Sequence, residues 1–223
     1  MKPITQYWGS INLLSVFLLP ASLLFCSLVK LRRFAYQQHW LSIKAFNLPV
    51  IVVGNIYVGG NGKTPFVIWL TDQLKQQGLK PAIVSRGYGA SGKGGWPRVV
   101  NLNDDITSYG DEPCLIKKQT ECPVIIDPIR SRAIQKIQQD YACDVIISDD
   151  GLQHYAMSRD IEINITDTKR QYGNHLCLPA GPLREPVSRL RQVDYIIYNQ
   201  AAAKTTQEIK HDNEFLMFYD YDL

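Results

Sequence analysis

One stretch limits the fold more than any other: Leu48-Pro-Val-Ile-Val-Val-Gly-Asn-Ile-Tyr-Val-Gly-Gly-Asn-Gly-Lys-Thr-Pro65. Val50 to Val53 is a short apolar run and reads as a buried strand. A glycine-rich loop follows and ends in Gly62-Lys63-Thr64, and Phe66 to Leu70 is the apolar start of a helix. Strand, glycine loop, Lys-Thr and helix is the order a phosphate cradle needs. Gly59, Gly60 and Gly62 let backbone N–H groups turn toward an anion, and the helix N-terminus adds partial positive charge. Lys63 has the reach for the β- and γ-phosphates, and the Thr64 hydroxyl suits Mg²⁺. The match departs from the strict pattern at Tyr57, which stands where a glycine is wanted. The plain alternative is a glycine turn followed by a chance Lys-Thr, and the correct flanking elements argue against it.

Strand and helix signals alternate downstream. A helix is expected over Val67 to Gln77 with Gly78 as its stop, and strands over Lys80 to Arg86 and Arg98 to Leu102. Ser91 to Gly95 reads as a loose loop. Asp111 suits a helix N-cap with Pro113 in the first turn. Further strands are expected over Pro123 to Asp127, Cys143 to Ser148, Ile161 to Thr166, Tyr195 to Tyr198 and Leu216 to Tyr219. A helix starting at Asp127-Pro128 carries Ala133, Ile134, Ile137 and Tyr141 at helical spacing. This alternation implies an α/β fold with a mostly parallel sheet and ligands at the carboxyl ends of its strands. The 223 residues suffice for a full core, and the net charge of +3 demands no nucleic-acid partner. Five cysteines without CxxC spacing read as reduced thiols.

Ile11 to Val29 carries no charge and is close to the shortest helix that crosses a bilayer. Lys30, Arg32 and Arg33 follow it, which keeps the bulk of the chain on the cytoplasmic side. Its serines leave three readings open: a span, a helix lying in the membrane interface, or a buried soluble helix. The chain thus divides into a membrane-associated helix (1–33), a basic and aromatic connector (34–47) and a core (48–223).

Several residues carry candidate chemistry. Asp149-Asp150 ends an apolar strand and is the expected carboxylate partner of Thr64 around Mg²⁺; taken alone it is also an ordinary strand-end turn. Asp111 and Glu112 are candidates for a general base and its support, or for a plain helix cap. His154 either contacts substrate or caps a loop. In the stiff loop Leu178-Pro-Ala-Gly-Pro-Leu-Arg-Glu-Pro186, Arg184 suits an anionic group and Glu185 a metal; the alternative is a rigid connector whose charged pair faces solvent. Arg130 and Arg132 suit a phosphorylated substrate, or form a solvated helix face.

Taken together, Val-Gly-Asn…Gly-Gly-Asn-Gly-Lys-Thr-Pro (53–65), Ser-Arg-Gly-Tyr-Gly (85–89), Gly-Asp-Glu-Pro (110–113), Asp-Asp-Gly-Leu-Gln-His (149–154) and Leu-Pro-Ala-Gly-Pro-Leu-Arg-Glu-Pro (178–186) occur in one order. The chain resembles the tetraacyldisaccharide 4′-kinases, the lipid A kinases of Gram-negative bacteria, over nearly all its length. The resemblance implies a P-loop fold and Mg²⁺-ATP-dependent phosphorylation of the 4′-hydroxyl of a tetraacylated glucosamine disaccharide 1-phosphate. It places that lipid A precursor and the inner-membrane bilayer, at its cytoplasmic face, as partners. By resemblance, Tyr57, Val58, Gly59, Gly60, Asn61, Gly62, Lys63 and Thr64 hold ATP, and Asp111 is the general base beside Glu112. Asp150 and Glu185 resemble the metal-binding acids, with Asp149 and His154 adjacent, and Arg130 lies near a substrate-binding arginine. Family members continue into a C-terminal segment with an Asp-His-His motif that this sequence lacks, so the resemblance also admits a catalytically impaired ATP-binding fragment.

Overall fold

A computed structural model describes residues 7–59, 62–91, 95–200, 208–209 and 211–218. The expectations that fall on Gly60 and Asn61, on 92–94 of the loose loop and on Tyr219 lie outside the described residues. In chain order the elements are α1 (Leu13–Gln37), β1 (Val50–Gly54), α2 (Lys63–Gln76), β2 (Pro81–Ser85), β3 (Arg98–Val99), α3 (Asp111–Thr120), β4 (Val124–Ile126), α4 (Arg130–Asp140), β5 (Val145–Asp149), β6 (Ile161–Asp167), β7 (Tyr195–Gln200) and β8 (Glu214–Phe218). The chain divides into two compact units.

One unit comprises Ile43–Gly54 and Gly62–Glu162. Its strands run in the order β3-β4-β2-β5-β1, parallel except for β3 against β4. Every residue of β1, β2, β4 and β5 is buried, which is why these strands read as continuous β-branched runs rather than as alternation. Helices α2 and α3 pack together, and α4 packs on β2 and β4 through Ala133, Ile134 and Ile137. Tyr141, expected on that apolar face, is the C-cap instead. Helix α2 stops where expected: Gly78, just past its end, takes φ +81°, a conformation that glycine adopts without a Cβ clash.

The other unit comprises Met1–Ser42, Asn55–Asn61 and Ile163–Leu223. Strands β6, β7 and β8 are mutually parallel in it, with Ile165 opposite Ile197 and Ile197 opposite Phe215. Helix α1 starts at a capping box: the Asn12 side chain accepts from the Ser15 amide, and the Ser15 hydroxyl accepts from the Asn12 amide. It runs through Gln37, so the first residues of the expected connector are helical. Its orientation inverts the usual rule. Ser15 and Ser22, seven residues apart, are its buried positions, while Leu13 is 90% and Phe17 79% exposed. The Ser22 hydroxyl donates to the Cys177 carbonyl at 2.7 Å, and Phe25 and Cys26 pack on a cluster of Ile56, Tyr57, Cys177 and Leu183. All five cysteines are free thiols.

Candidate active site

The glycine loop is bounded by Gly54 and Gly62 and held between them by Asn55, Tyr57 and Val58. At Gly54 a Cβ would come within 2.8 Å of Leu152, so the end of β1 needs glycine for packing. The Asn55 side chain is buried and donates to the Gly59 carbonyl at 3.2 Å, which closes the first half of the loop on itself. Tyr57, the departure from the strict pattern, is an anchor. Its ring is buried among Ile56, Cys177 and Leu183, and its hydroxyl accepts from the Asp167 amide at 2.9 Å. Burial raises its pKa well above the ordinary tyrosine value. Val58 donates its amide to the Pro182 carbonyl at 2.9 Å. Gly62 is the N-cap of α2 at φ +81°, with no side-chain cap on the helix, and Lys63 and Thr64 are its first residues. The first-turn amides of such a helix lack intrahelical acceptors and favour an anion.

The acid pair sits where a phosphate loop needs it. The β1–β5 register sets Val53 opposite Asp149, so the two strands end level. Lys63 Nζ lies 3.4 Å from Asp150 Oδ1, and both side chains are partly accessible. Asp150 holds φ +49°, a left-handed turn that sends the two consecutive carboxylates in different directions. Asp149 points inward and is 2% exposed. Its Oδ2 accepts from Ser85 Oγ at 3.2 Å, and its Oδ1 is buried with no hydrogen-bond partner. Burial, then the Asp150 charge, pushes its pKa up to about 6, against a downward pull from Lys63. An orphaned carboxylate oxygen beside a second carboxylate fits a divalent cation. Among the described residues no group of three or more His, Cys, Asp or Glu side chains forms a metal cage. Mg²⁺ needs none, because it takes one or two carboxylates together with phosphate oxygens and water.

Arg130 is not the solvated residue, nor the open anion site, that its place in the sequence suggests. It is 1% exposed, and its guanidinium donates to the backbone carbonyls of Asp127 at 2.9 Å and Asp149 at 3.0 Å. It therefore ties the end of β4 to the end of β5 and brings a cation under the acid pair. Burial lowers its pKa to about 10, leaving it charged. Arg132 clamps the buried Asp127 carboxylate with two hydrogen bonds, at 2.8 and 2.9 Å. Burial, then the charges of Arg130 and Arg86, lowers the His154 pKa to about 4, so its imidazole is neutral. Its backbone carbonyl accepts from Arg159. The N-cap of α3 is Gly110, not Asp111, because φ +89° is required there and a Cβ would lie 2.3 Å from the Tyr88 carbonyl. Asp111 and Glu112 follow as the exposed first turn, and the Glu112 charge reaches Asp149.

Two residues not expected as site side chains are Ser85, the partner of Asp149, and Asp127, which accepts from Ile129, Arg130 and Arg132 through its carboxylate or carbonyl. Their one sequence signal is position, since each follows or ends a buried strand. Arg184 and Glu185 belong to the unit that contains α1. Both donate their amides to the Ile56 carbonyl, at 2.7 and 3.2 Å. Glu185 does not face solvent: it is 1% exposed, and its carboxylate lies 3.4 Å from Arg189 Nε.

The family model described as tetraacyldisaccharide-1-P 4'-kinase (LpxK) matches residues 14–221. A tetraacyldisaccharide 4'-kinase of Psychromonas ingrahamii is 47% identical over 214 residues, 95% of this chain and 64% of the relative. One from Actinobacillus succinogenes is 51% identical over 194 residues, 87% of this chain and 59% of the relative. The chain thus spans less than two thirds of the length of these relatives. The crystal structure of Aquifex aeolicus LpxK in complex with ATP superposes with a TM-score of 0.80 at 33% identity, over 91% of this chain and 64% of that one. That agreement bears out the P-loop fold, and with it the chain belongs to the tetraacyldisaccharide-1-P 4'-kinase family.

Proposed function

We propose that the chain carries the phosphoryl-transfer residues of a tetraacyldisaccharide 4'-kinase, moving the γ-phosphoryl group of ATP to the 4′-hydroxyl of a tetraacylated glucosamine disaccharide 1-phosphate. The observation that carries this reading is Lys63 set 3.4 Å from Asp150 at the start of α2, beside the orphaned oxygen of Asp149. The resolved relative binds ATP, as its crystal structure states. Tyr57 to Thr64 hold the nucleotide, through backbone amides, the Lys63 ammonium and the Thr64 hydroxyl. Asp149, Asp150 and Thr64 hold Mg²⁺, with Glu185 as a further acid; when bound, the ion neutralises charge on the phosphates. Asp111 takes the proton of the acceptor hydroxyl as its oxygen bonds to phosphorus and the bond to ADP breaks. Glu112 supports that base. Arg184 and His154 serve the acceptor, His154 as a neutral hydrogen-bonding group. Arg130 acts through Asp149, whose carbonyl it holds.

The lipid acceptor calls for a membrane surface, and α1 supplies one. Among the described residues α1 is the helix long and apolar enough to cross a bilayer. Docking of its Ser22 face on its own unit supports an interfacial helix over a span. We infer that it lies in the interface at the cytoplasmic face of the inner membrane, with Leu13 and Phe17 in the acyl region and Lys30, Arg32 and Arg33 near anionic headgroups.

The test is transfer from labelled ATP to the disaccharide lipid, by this chain and by one extended to the length of its relatives. Lys63→Ala abolishes transfer. Asp111→Ala leaves ATP binding intact and lowers transfer by about a hundredfold or more. Unchanged transfer in Asp111→Ala removes the base assignment, and ATP binding without transfer by either chain reduces the protein to a nucleotide-binding module.

A further inference from the structure

The unit containing α1 holds a cavity of about 730 Å³ that the residues assigned above do not explain. Its size suits a small ligand. One wall is the backbone of Tyr57, Val58 and Gly59; the others include Trp8, Thr168, Lys169, Arg170 and Pro182. Every charged side chain that lines it is a cation. The turn after β6 explains why these cations stay available. The Asp167 carboxylate, the nearest acid in sequence, accepts the amides of Lys169 at 2.7 Å and Arg170 at 3.2 Å, so it is engaged by backbone rather than by their side chains. The Arg170 guanidinium instead lies over the loop, with one nitrogen 3.4 Å from where a Cβ on Gly59 would be. A Cβ at position 59 would stand in van der Waals contact with it, and it is the φ of +129° that calls for glycine there. The far wall is fixed: Trp8 donates its indole N–H to the Pro179 carbonyl and accepts the Asn174 amide on its own carbonyl. Gly173 permits that contact, since a Cβ there would stand 2.6 Å from the Trp8 oxygen.

We propose that this cavity is an outer nucleotide subsite, in which Arg170, aided by Lys169, binds a phosphate of the nucleotide at Gly59 while the ribose and base enter the space lined by Trp8 and Thr168. The proposal rests on the nucleotide-binding reading of the Tyr57–Thr64 loop and adds two residues that this reading lacks. A planar guanidinium presents paired donors to phosphate oxygens, which an ammonium does not reproduce. The other source of the same chemistry is the 1-phosphate of the lipid acceptor, and affinity measurements separate the two.

The experiment measures dissociation constants of the whole chain for Mg²⁺-ATP, ADP, AMP and adenosine by calorimetry. It also measures binding to phosphatidylcholine vesicles doped with the disaccharide lipid, with and without its 1-phosphate. Both cations are exposed, so Arg170→Ala and Lys169→Ala fold as the parent does, and unchanged melting checks this. Arg170→Ala weakens all three phosphorylated nucleotides by about tenfold or more and leaves adenosine unchanged. Arg170→Lys recovers part of the loss. Nucleotide affinities equal to the parent's in Arg170→Ala overturn the proposal. So does a loss confined to vesicles carrying the 1-phosphate, which would assign the pair to the lipid. A parent that binds ATP but transfers nothing leaves the subsite standing and removes only the kinase reading; a parent that binds no nucleotide removes both.

Discussion

Replacing Asp149 by asparagine tests the electrostatics of the site directly. The carboxyl is fully enclosed, one of its oxygens has no partner, and its pKa stands at about 6 against an ordinary 3.8. The sign follows from linkage. A carboxyl whose folded pKa is raised binds its proton more tightly in the native state, so native stability is greatest below pH 3.8 and falls as pH rises through about 6. At about 1.4 kcal/mol per pH unit, ionised Asp149 costs the metal-free protein on the order of 3 kcal/mol at neutral pH. Asparagine keeps the shape and can still bond Ser85, but it carries no charge. Urea unfolding at pH 5 and pH 8 should therefore give Asp149→Asn a growing advantage over the parent, approaching about 3 kcal/mol at the higher pH. Mg²⁺ with ATP should stabilise the parent increasingly as pH rises past 6 and should stabilise the variant less, with no such rise. Parallel stability–pH curves for the two proteins, or equal stabilisation of both by Mg²⁺-ATP, would refute the argument that burial of this carboxylate is relieved by a cation.

Three other perturbations follow from packing. Leu13→Ser with Phe17→Ser removes two exposed apolar side chains and should lower partitioning onto vesicles by about a hundredfold or more while the melting temperature holds; undiminished co-sedimentation removes the interfacial role of α1. Tyr57→Gly restores the strict glycine pattern yet should destabilise by about 3–5 kcal/mol, because it empties a buried cluster and frees the Asp167 amide. A glycine variant as stable as the parent in urea shows that Tyr57 is no anchor. Arg130→Met leaves two carbonyls without their donor next to a buried acid and should cost about 3–5 kcal/mol; a loss below about 1 kcal/mol means that the guanidinium does not hold the strand ends.

Much of the fold was legible because its signals are local. Val50–Val53 and Val145–Ser148 are apolar and β-branched at a length that suits a buried parallel strand, and both appear there. Gly78 ends α2, and Lys63-Thr64 opens it, as the loop pattern requires. Boundaries moved where the deciding contact comes from elsewhere. Asp111 has the chemistry of an N-cap, but the close approach of the Tyr88 carbonyl gives that position to Gly110. The expected strand from Arg98 shortens to two residues at an antiparallel edge.

What the sequence by itself determined is the order of elements, the phosphate-loop motif, the acid pair at a strand end, and an apolar N-terminal helix; each depends on neighbours within a few positions. Only the tertiary structure decided which groups lose their water. It turned Ser15 and Ser22 of α1 inward and Leu13 and Phe17 out, drew Arg130 beneath the acids, made an anchor of Tyr57 and left one oxygen of Asp149 dry and unpaired. Desolvation depends on atoms that arrive from distant parts of the chain, so a residue's type fixes what chemistry it is capable of, and its packing fixes whether that chemistry is exposed, neutralised or stored.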